Sequence, residues 1–225
     1  MADCAYWVAF EGAGTPRYAH ESMQPDIPLK EKVEKWSKKI ARGELIDPET
    51  RPLAFKLSCR ELKDGTIDRS AGEPIVGQNG YRLPHSFFQS YPMIAHEAID
   101  VFHQFNLGEA QLFPVDFYKS DAVTPHNERV NLVVPGNPKH AYRELSENGE
   151  NIVPYDEQGF EVAASVGYAD SVKGKLFVTE AALKGPDIWY EPKYRNTYFI
   201  SEALAQALIE AGIASDFNLQ KVDVI

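Results

Sequence analysis

The chain has 225 residues, of which 44% are hydrophobic and 25% charged, values that are ordinary for a globular protein. Its net charge of −10 argues against nucleic acid or an anionic membrane as the main partner, because phosphate binding depends on Lys and Arg. No run approaches the roughly 18 apolar residues of a membrane span, and the first residues lack the pattern of a signal peptide. We therefore expect a cytosolic protein in which Cys4 and Cys59, far apart and outside any CxxC motif, are small, partly buried residues.

The first eighty residues contain three predicted elements. An aromatic and β-branched run predicts a strand over residues 5–10. Apolar residues spaced by four, three and four positions predict a helix between Pro25 and Gly43. A further strand is predicted over residues 53–58, and a polar, Gly-rich surface connection over residues 63–80.

The most informative pattern is a repeated unit of strand, helix, turn and strand, over residues 93–117 and 198–225. At an offset of 106 residues the matched pairs are Ile94 with Ile200, Val101 with Ala207, Phe102 with Leu208 and Leu107 with Ile213. After one inserted residue, Val115 matches Val222. Such units arise either by duplication or because the βαβ motif is common, and in both cases they are predicted to form the scaffold.

Between the two repeats, strands are predicted over residues 129–134, 175–179 and 187–190. The sequence therefore predicts an α+β fold with a mixed or antiparallel sheet, a few packed helices and two related strand-helix-strand units. We expect one domain over residues 1–225, with an alternative division into a lobe of residues 1–80 and a lobe of residues 83–225.

The chain contains no GxGxxG, GxxxxGK[ST] or GxSxG motif, and we predict no catalytic residue and no cofactor. His96, Asp100 and His103 have spacings that would place them on one helical face, which suits a divalent metal. The same positions lie opposite an apolar face and fit an ordinary polar surface, which is the interpretation we favour. The other histidines, His85 among them, lie in Pro-, Ser- or Asn-rich stretches and are expected at the surface.

Two features fit a protein interface. Residues 144–161 hold six acids and no Lys or Arg. Residues 189–199 are rich in aromatics, of which Trp189, Tyr198 and Phe199 are expected in the core and the others outside, as Trp, Tyr and Arg dominate interface hot spots. The predicted partner-binding residues are Glu144, Glu147, Glu150, Asp156, Glu157, Tyr190, Tyr194 and Arg195.

Two blocks of the chain resemble immunity family eleven of bacterial polymorphic toxin systems. The C-terminal block has Gly-Pro-Asp-Ile-Trp-Tyr at 185–190, Asn-Thr-Tyr-Phe-Ile-Ser-Glu-Ala-Leu-Ala-Gln-Ala-Leu at 196–208 and Ala-Gly-Ile at 211–213. The central block has Ile-Ala-His-Glu-Ala-Ile-Asp-Val-Phe at 94–102 and Leu-Phe-Pro-Val-Asp-Phe at 112–117. The resemblance spans roughly residues 83–225, and it departs from the family where Ala95-His96 replaces a usual Ser at the start of the central helix.

This resemblance implies a non-catalytic protein that binds a toxin made beside it and so protects the producing cell. A basic toxin would suit the charge of −10, and a nuclease is the leading expectation because nucleases act on an anionic substrate. Two alternatives are a metal-dependent enzyme or metal-binding protein using His96, Asp100 and His103, and a non-catalytic adaptor of a secretion-type assembly.

Overall fold

The computed structural model describes residues 4–8, 20–22, 38–41, 44–46, 54–57, 84–88, 92–118, 123–125, 128–144, 164–165, 176–192, 194–195 and 198–225. Strands dominate the described part of the chain, in two mixed sheets with a few packed helices, so the predicted α+β fold is confirmed.

Strands, short helices and 3₁₀ turns alternate along the chain. The strands are β1 (Cys4–Val8), β2 (His20–Ser22), β3 (Ala54–Leu57), β4 (Ser86–Phe88), β5 (Pro92–Ala95), β6 (Gln111–Tyr118), β7 (Val130–Val134), β8 (Tyr142–Glu144), β9 (Ala164–Ser165), β10 (Leu176–Val178), β11 (Ile188–Trp189), β12 (Tyr194–Arg195), β13 (Tyr198–Ser201) and β14 (Leu219–Val224). The helices are α1 (Lys38–Ala41), α2 (Glu97–Phe102) and α3 (Glu202–Glu210), with 3₁₀ turns at Glu180–Leu183 and Ala214–Phe217.

The two large sheets have the same topology. Sheet I has the order β4-β5-β7-β6-β3-β2, and sheet II has the order β11-β13-β1-β14-β10-β8. In each sheet, taken in that order, the first three pairings are antiparallel, the fourth is parallel and the fifth is antiparallel. In both, the helix connects the second strand to the fourth, so the two sheets with their helices are two copies of one topological unit.

The register is the same as well. In sheet I, Val130 of β7 pairs with Ala95 on one side and with Val115 on the other. In sheet II, Ala5 of β1 pairs with Ser201 and with Val222 at the corresponding positions. Val115 and Val222 are a pair that the sequence offset matches, so the repeat seen in the sequence corresponds to equivalent positions in the two sheets.

One strand breaks the chain order of the repeat. In sheet I the central strand β7 follows β6 along the chain, whereas in sheet II the equivalent position between β13 and β14 is taken by β1. The first residues of the chain thus complete the second unit, while β2 and β3 belong to the first. Residues 1–80 therefore supply strands to both sheets.

The helices share one core with both sheets. Apolar side chains of α2 and α3 pack with Ile94 and Val133 from sheet I and with Val8 and Ile200 from sheet II. The opposite face of sheet I packs against a second cluster that includes Ile40 of α1. Each buried aliphatic side chain of this kind contributes about 1.5–3 kcal/mol.

Helix α3 shows how the local sequence sets these boundaries. The Ser201 hydroxyl accepts a hydrogen bond from the Leu204 backbone N–H at 3.2 Å, which is a regular N-cap. Leu204, Ala205 and Leu208 form the buried face, and Gly212, at a φ of 72°, follows the helix end.

The predicted strands that fall on described residues are confirmed as β1, β3, β5, β6, β7, β10, β11, β13 and β14. Only Lys38–Ala41 of the helix predicted between Pro25 and Gly43 is described, and the predicted surface connection 63–80 lies outside the described residues. The central helix is predicted over residues 95–105, and in the structure it is shorter, Glu97–Phe102.

Candidate functional site

Two histidines and three carboxylates come together where β5 leads into α2. His85 lies at the centre of this group, with a side chain only 11% exposed. Its Nδ1 atom lies 2.6 Å from Oδ2 of Asp216, and its Nε2 atom lies 3.1 Å from Oε2 of Glu97. The remaining members are His96 and Glu128. We call these five residues the histidine cluster.

Both topological units supply the cluster. Asp216 belongs to the 3₁₀ turn after α3, and Glu97 to the first turn of α2. His85 directly precedes edge strand β4, where its C=O accepts from the Ala95 N–H at 3.0 Å and its N–H donates to Asp216 Oδ2 at 2.9 Å. A partly buried pair of hydrogen bonds from His85 to Asp216 therefore joins the second unit to the first.

His96 has a strained backbone. Its φ of 54° and ψ of −130° lie in a region that side-chain-bearing residues avoid, at a cost of about 1–3 kcal/mol. Its side chain is 13% exposed and places Nε2 3.8 Å from Oε2 of Glu128, and its ring meets that of His85 edge to face at 5.6 Å. The His96 N–H donates to the Arg129 C=O at 3.1 Å, which holds the strained residue against sheet I.

An exposed ion pair lies one turn further along α2. Arg129 donates to both carboxylate oxygens of Asp100, at 2.8 and 3.1 Å, and both side chains are more than half exposed. The hydrogen bonds from Arg129 lower the pKa of Asp100, and the same contact raises the pKa of Arg129. The Asp100 carboxylate is thus already engaged by a cation.

The three residues considered as metal ligands do not share one helical face. His96 precedes α2 and is largely buried, whereas Asp100 lies on the exposed face and His103 is the C-cap. The expectation of an ordinary polar face holds for Asp100 and His103 and is wrong for His96. Within the described ranges, no group of three or more His, Cys, Asp or Glu residues could hold a metal ion.

His85 is the site residue that the sequence misses. We expected it at the surface because it lies between Pro84 and Ser86, yet it is buried. Its main partner, Asp216, is 131 residues away in the chain, so no local signal indicates the contact.

The predicted partner-binding residues fall into three groups. Glu144 ends edge strand β8, opposite Leu176 of β10. Tyr194 and Arg195 form β12, which pairs in parallel with β9. The other acids, Glu147, Glu150, Asp156 and Glu157, lie outside the described residues.

Tyr190 is half-buried instead of fully exposed, while Trp189, Tyr198 and Phe199 are in the core as expected. The Tyr190 N–H donates to the Gly136 C=O at 3.3 Å. Burial, together with the charges of Glu44 and Glu191, raises the pKa of the Tyr190 phenol.

Lys139 fixes the connection that passes Tyr190. Its N–H donates to the Tyr190 C=O, and its Nζ donates to the C=O groups of Ala182 at 2.7 Å and Pro186 at 3.0 Å. The same ammonium lies 4.0 Å from the centre of the Trp189 ring, within cation–π range. Burial lowers the pKa of Lys139 to about 8.

Cys4 is buried and carries no disulfide. Burial, and then a hydrogen bond with Glu202, raise the pKa of its thiol to about 11. A thiol with so high a pKa is not a nucleophile at neutral pH. Cys59 lies outside the described residues.

In the part of the chain that the structure covers, no helix is long and apolar enough to cross a membrane. No protein-family model matches the chain, and no curated protein is significantly similar to it. The resemblance to immunity family eleven therefore stays a prediction that depends on the residues quoted for it.

Proposed function

We propose that this chain is an immunity protein that binds a cognate bacterial toxin and neutralises it. The net charge of −10 and the two blocks that resemble immunity family eleven support this proposal. The central block supplies the second half of β5, all of α2 and most of β6, and the C-terminal block supplies β11, β13 and most of α3. Both blocks thus include the junction between a strand and its helix, from β5 to α2 in one unit and from β13 to α3 in the other.

The observation that carries the choice of surface is the course of residues 136–144. Gly136 and Lys139 are hydrogen-bonded to Tyr190, and the same connection then becomes β8 and ends at Glu144. The half-buried aromatic and the start of the acidic 144–161 segment are therefore joined by one short stretch of chain. A basic partner would find an aromatic ring for anchoring at Tyr190, directly after edge strand β11, and acids for attraction in the segment that begins at Glu144, where β8 forms the other edge of sheet II.

Such a surface must bind the toxin with high affinity. A toxin must be held almost wholly inactive, which requires a nanomolar or tighter complex, about −12 kcal/mol. Opposite charge speeds the encounter of the two proteins, and buried anchors slow their separation.

Co-expression with the toxin domain encoded next to this chain tests the proposal. We expect growth to be rescued by the wild type and by a Glu210→Lys control, which changes an exposed acid on α3. The triple variant Glu144→Lys, Glu147→Lys, Glu150→Lys should lose rescue. If growth fails with the wild type while both proteins are soluble, the chain is not the immunity protein of that toxin.

Two other measurements test the alternatives. An adaptor would bind a neighbouring protein that is harmless when expressed alone. A metal-dependent enzyme, purified without an affinity tag, would contain stoichiometric metal. The His96→Ala and His103→Ala variants would lose that metal.

A further inference from the structure

Two equivalent clasps join the topological units. Each clasp connects the residue before an edge strand of one unit to the turn that follows the helix of the other unit. Before β4, His85 contacts Asp216, which follows α3. Before β11, Asp187 contacts Asn106, which follows α2, through hydrogen bonds of 2.7 and 2.9 Å.

The equivalence of the two positions is fixed by the sheets. The His85 C=O accepts from the Ala95 N–H at 3.0 Å, and the Asp187 C=O accepts from the Ser201 N–H at 2.9 Å. Ala95 and Ser201 are the last residues of β5 and β13 and have the same register. The fold therefore tolerates a carboxylate at this position, and the imidazole of His85 is a special feature of the first unit.

The junctions beside the clasps differ too. At the end of β13, Ser201 caps α3 with its side chain, and the helix begins at once. At the end of β5, Ala95 has no side-chain oxygen, and the strained His96, at the position equivalent to Glu202, precedes the helix. Because the second unit has no strain at this point, the topology does not require it in the first.

The proton content of His85 decides which contacts it makes. A neutral imidazole has one N–H donor and one lone pair, whereas the protonated ring has two donors. The 2.6 Å contact with Asp216 is the shorter of the two carboxylate contacts, so the neutral ring keeps its proton on Nδ1. The lone pair of Nε2 would then face the Glu97 oxygen 3.1 Å away, and two acceptors repel each other.

We infer that His85 is a proton-operated latch. When the ring is protonated it holds Asp216 and Glu97 together, and when it loses its proton it keeps Asp216 and loses its hydrogen bond to Glu97. Glu97 can respond because its side chain is 62% exposed, whereas Asp216 is 32% exposed and is also held by the His85 N–H.

Titratable groups face His85 from each of the described elements that pack against it. Asp216 comes from the 3₁₀ turn, Glu97 from α2 and His96 from the junction between β5 and α2. Glu128 lies beside His96, with Oε2 3.8 Å from Nε2.

A double-mutant cycle of His85→Gln and Glu97→Gln tests the latch, with urea unfolding as the measurement. At about pH 5.5, below the usual titration of His, we expect the pair to be coupled by about a three-fold change in the unfolding equilibrium constant. At about pH 8.5 the coupling should vanish. The matched control is a cycle of Asp100→Asn and Arg129→Gln on the same helix, whose coupling should be equal at both pH values because both groups stay charged.

Equal coupling of His85 and Glu97 at both pH values, or none at either, overturns the inference. Where His85→Gln does not fold, nitrogen NMR of the wild-type protein tests the latch by showing which ring nitrogen of His85 carries the proton. We expect the neutral His85 ring to carry its proton on Nδ1 above its titration, and a proton on Nε2 would contradict the latch. Neither measurement requires the toxin, so the latch is tested independently of the proposed function.

Discussion

The two strand-to-helix junctions of this protein occupy equivalent positions and are built differently. In sheet II the junction is ordinary, because Ser201 ends β13 and caps α3 with its own hydroxyl. In sheet I the junction carries a strained histidine, a second buried histidine and three carboxylates. Both junctions direct a helix into the same core, so packing alone does not explain the difference.

The difference between the junctions indicates where the two units have specialised. Order, direction and register are shared by the two sheets, and those properties are what a stable scaffold needs. The histidine cluster is present in one unit alone among the described residues and costs backbone strain. Backbone strain that is absent from the equivalent position of the other unit is not needed for the fold, so the strained junction is a candidate for function.

The largest effect should come from the equivalent helix positions Phe102 and Leu208. Both side chains are fully buried, and Phe102 stacks on Phe217 of the other unit with ring centroids 5.9 Å apart. We expect Phe102→Ala to cost about 3–5 kcal/mol and Leu208→Ala about 2–5 kcal/mol. Each should shift one cooperative unfolding transition in calorimetry, because the units share a core. Two separate transitions in either variant would mean that the units unfold independently.

A smaller effect is expected at Lys139, in the connection between the units. Lys139→Met leaves the C=O groups of Ala182 and Pro186 without their donor, at a cost of about 1–3 kcal/mol. The folded pKa of about 8 is below the usual 10.5, so between these values the unfolded chain binds more protons and the stability supplied by Lys139 rises with pH.

The penalty of Lys139→Met, measured by urea unfolding, should therefore grow between pH 8 and 10.5. Because the side chain is only half-buried, solvent screening keeps this growth to about 1 kcal/mol. Lys184→Met, at an exposed neighbouring position, is the control for the loss of a lysine from this region. A penalty for Lys139→Met that shrinks as the pH rises would contradict the desolvated position of its ammonium.

The junctions themselves should respond with opposite signs. His96→Gly replaces a strained residue with one that adopts a positive φ freely. We expect the free energy of unfolding to increase by about 1 kcal/mol, because relief of the strain outweighs the lost contact with Glu128. Ser201→Ala removes the N-cap of α3 and should cost about 1 kcal/mol. Thermal unfolding of the two variants checks both signs, and a destabilised His96→Gly would show that its side-chain contacts outweigh the strain.

The smallest effect belongs to the exposed pair of Asp100 and Arg129. Asp100→Asn should lower the melting temperature slightly, and added salt should abolish the difference from wild type, because exposed ion pairs are screened. A difference that persists at high salt would indicate a role beyond the ion pair.

The strands were predictable where the signal is local. The apolar, β-branched content of residues 130–134, and the Pro135-Gly136 turn signal that follows, identify β7 without tertiary information. The matched pairs Ile94 with Ile200 and Val115 with Val222 likewise hold because each reflects the same packing position in a repeated unit.

The site was not predictable, because its contacts are long-range. The main partner of the buried His85 is a carboxylate 131 residues away. Strand β1 likewise pairs in sheet II with strands that lie near the opposite end of the chain. The periodicity of residues 95–105 correctly indicates a helix, yet it contains no sign that His96 takes a positive φ. A missing cap residue, Ala95 where the second unit has Ser201, is the one local difference that points to the altered junction.

Capture of a basic toxin by the acidic 144–161 segment and the aromatic ring of Tyr190 is the claim on which the proposed function depends. Isothermal titration of the purified chain with the toxin domain encoded beside it measures this directly. We predict a dissociation constant of about 1 nM or lower that weakens steeply with added salt. Binding weaker than about 1 μM, or no heat of binding from two folded proteins, would contradict it.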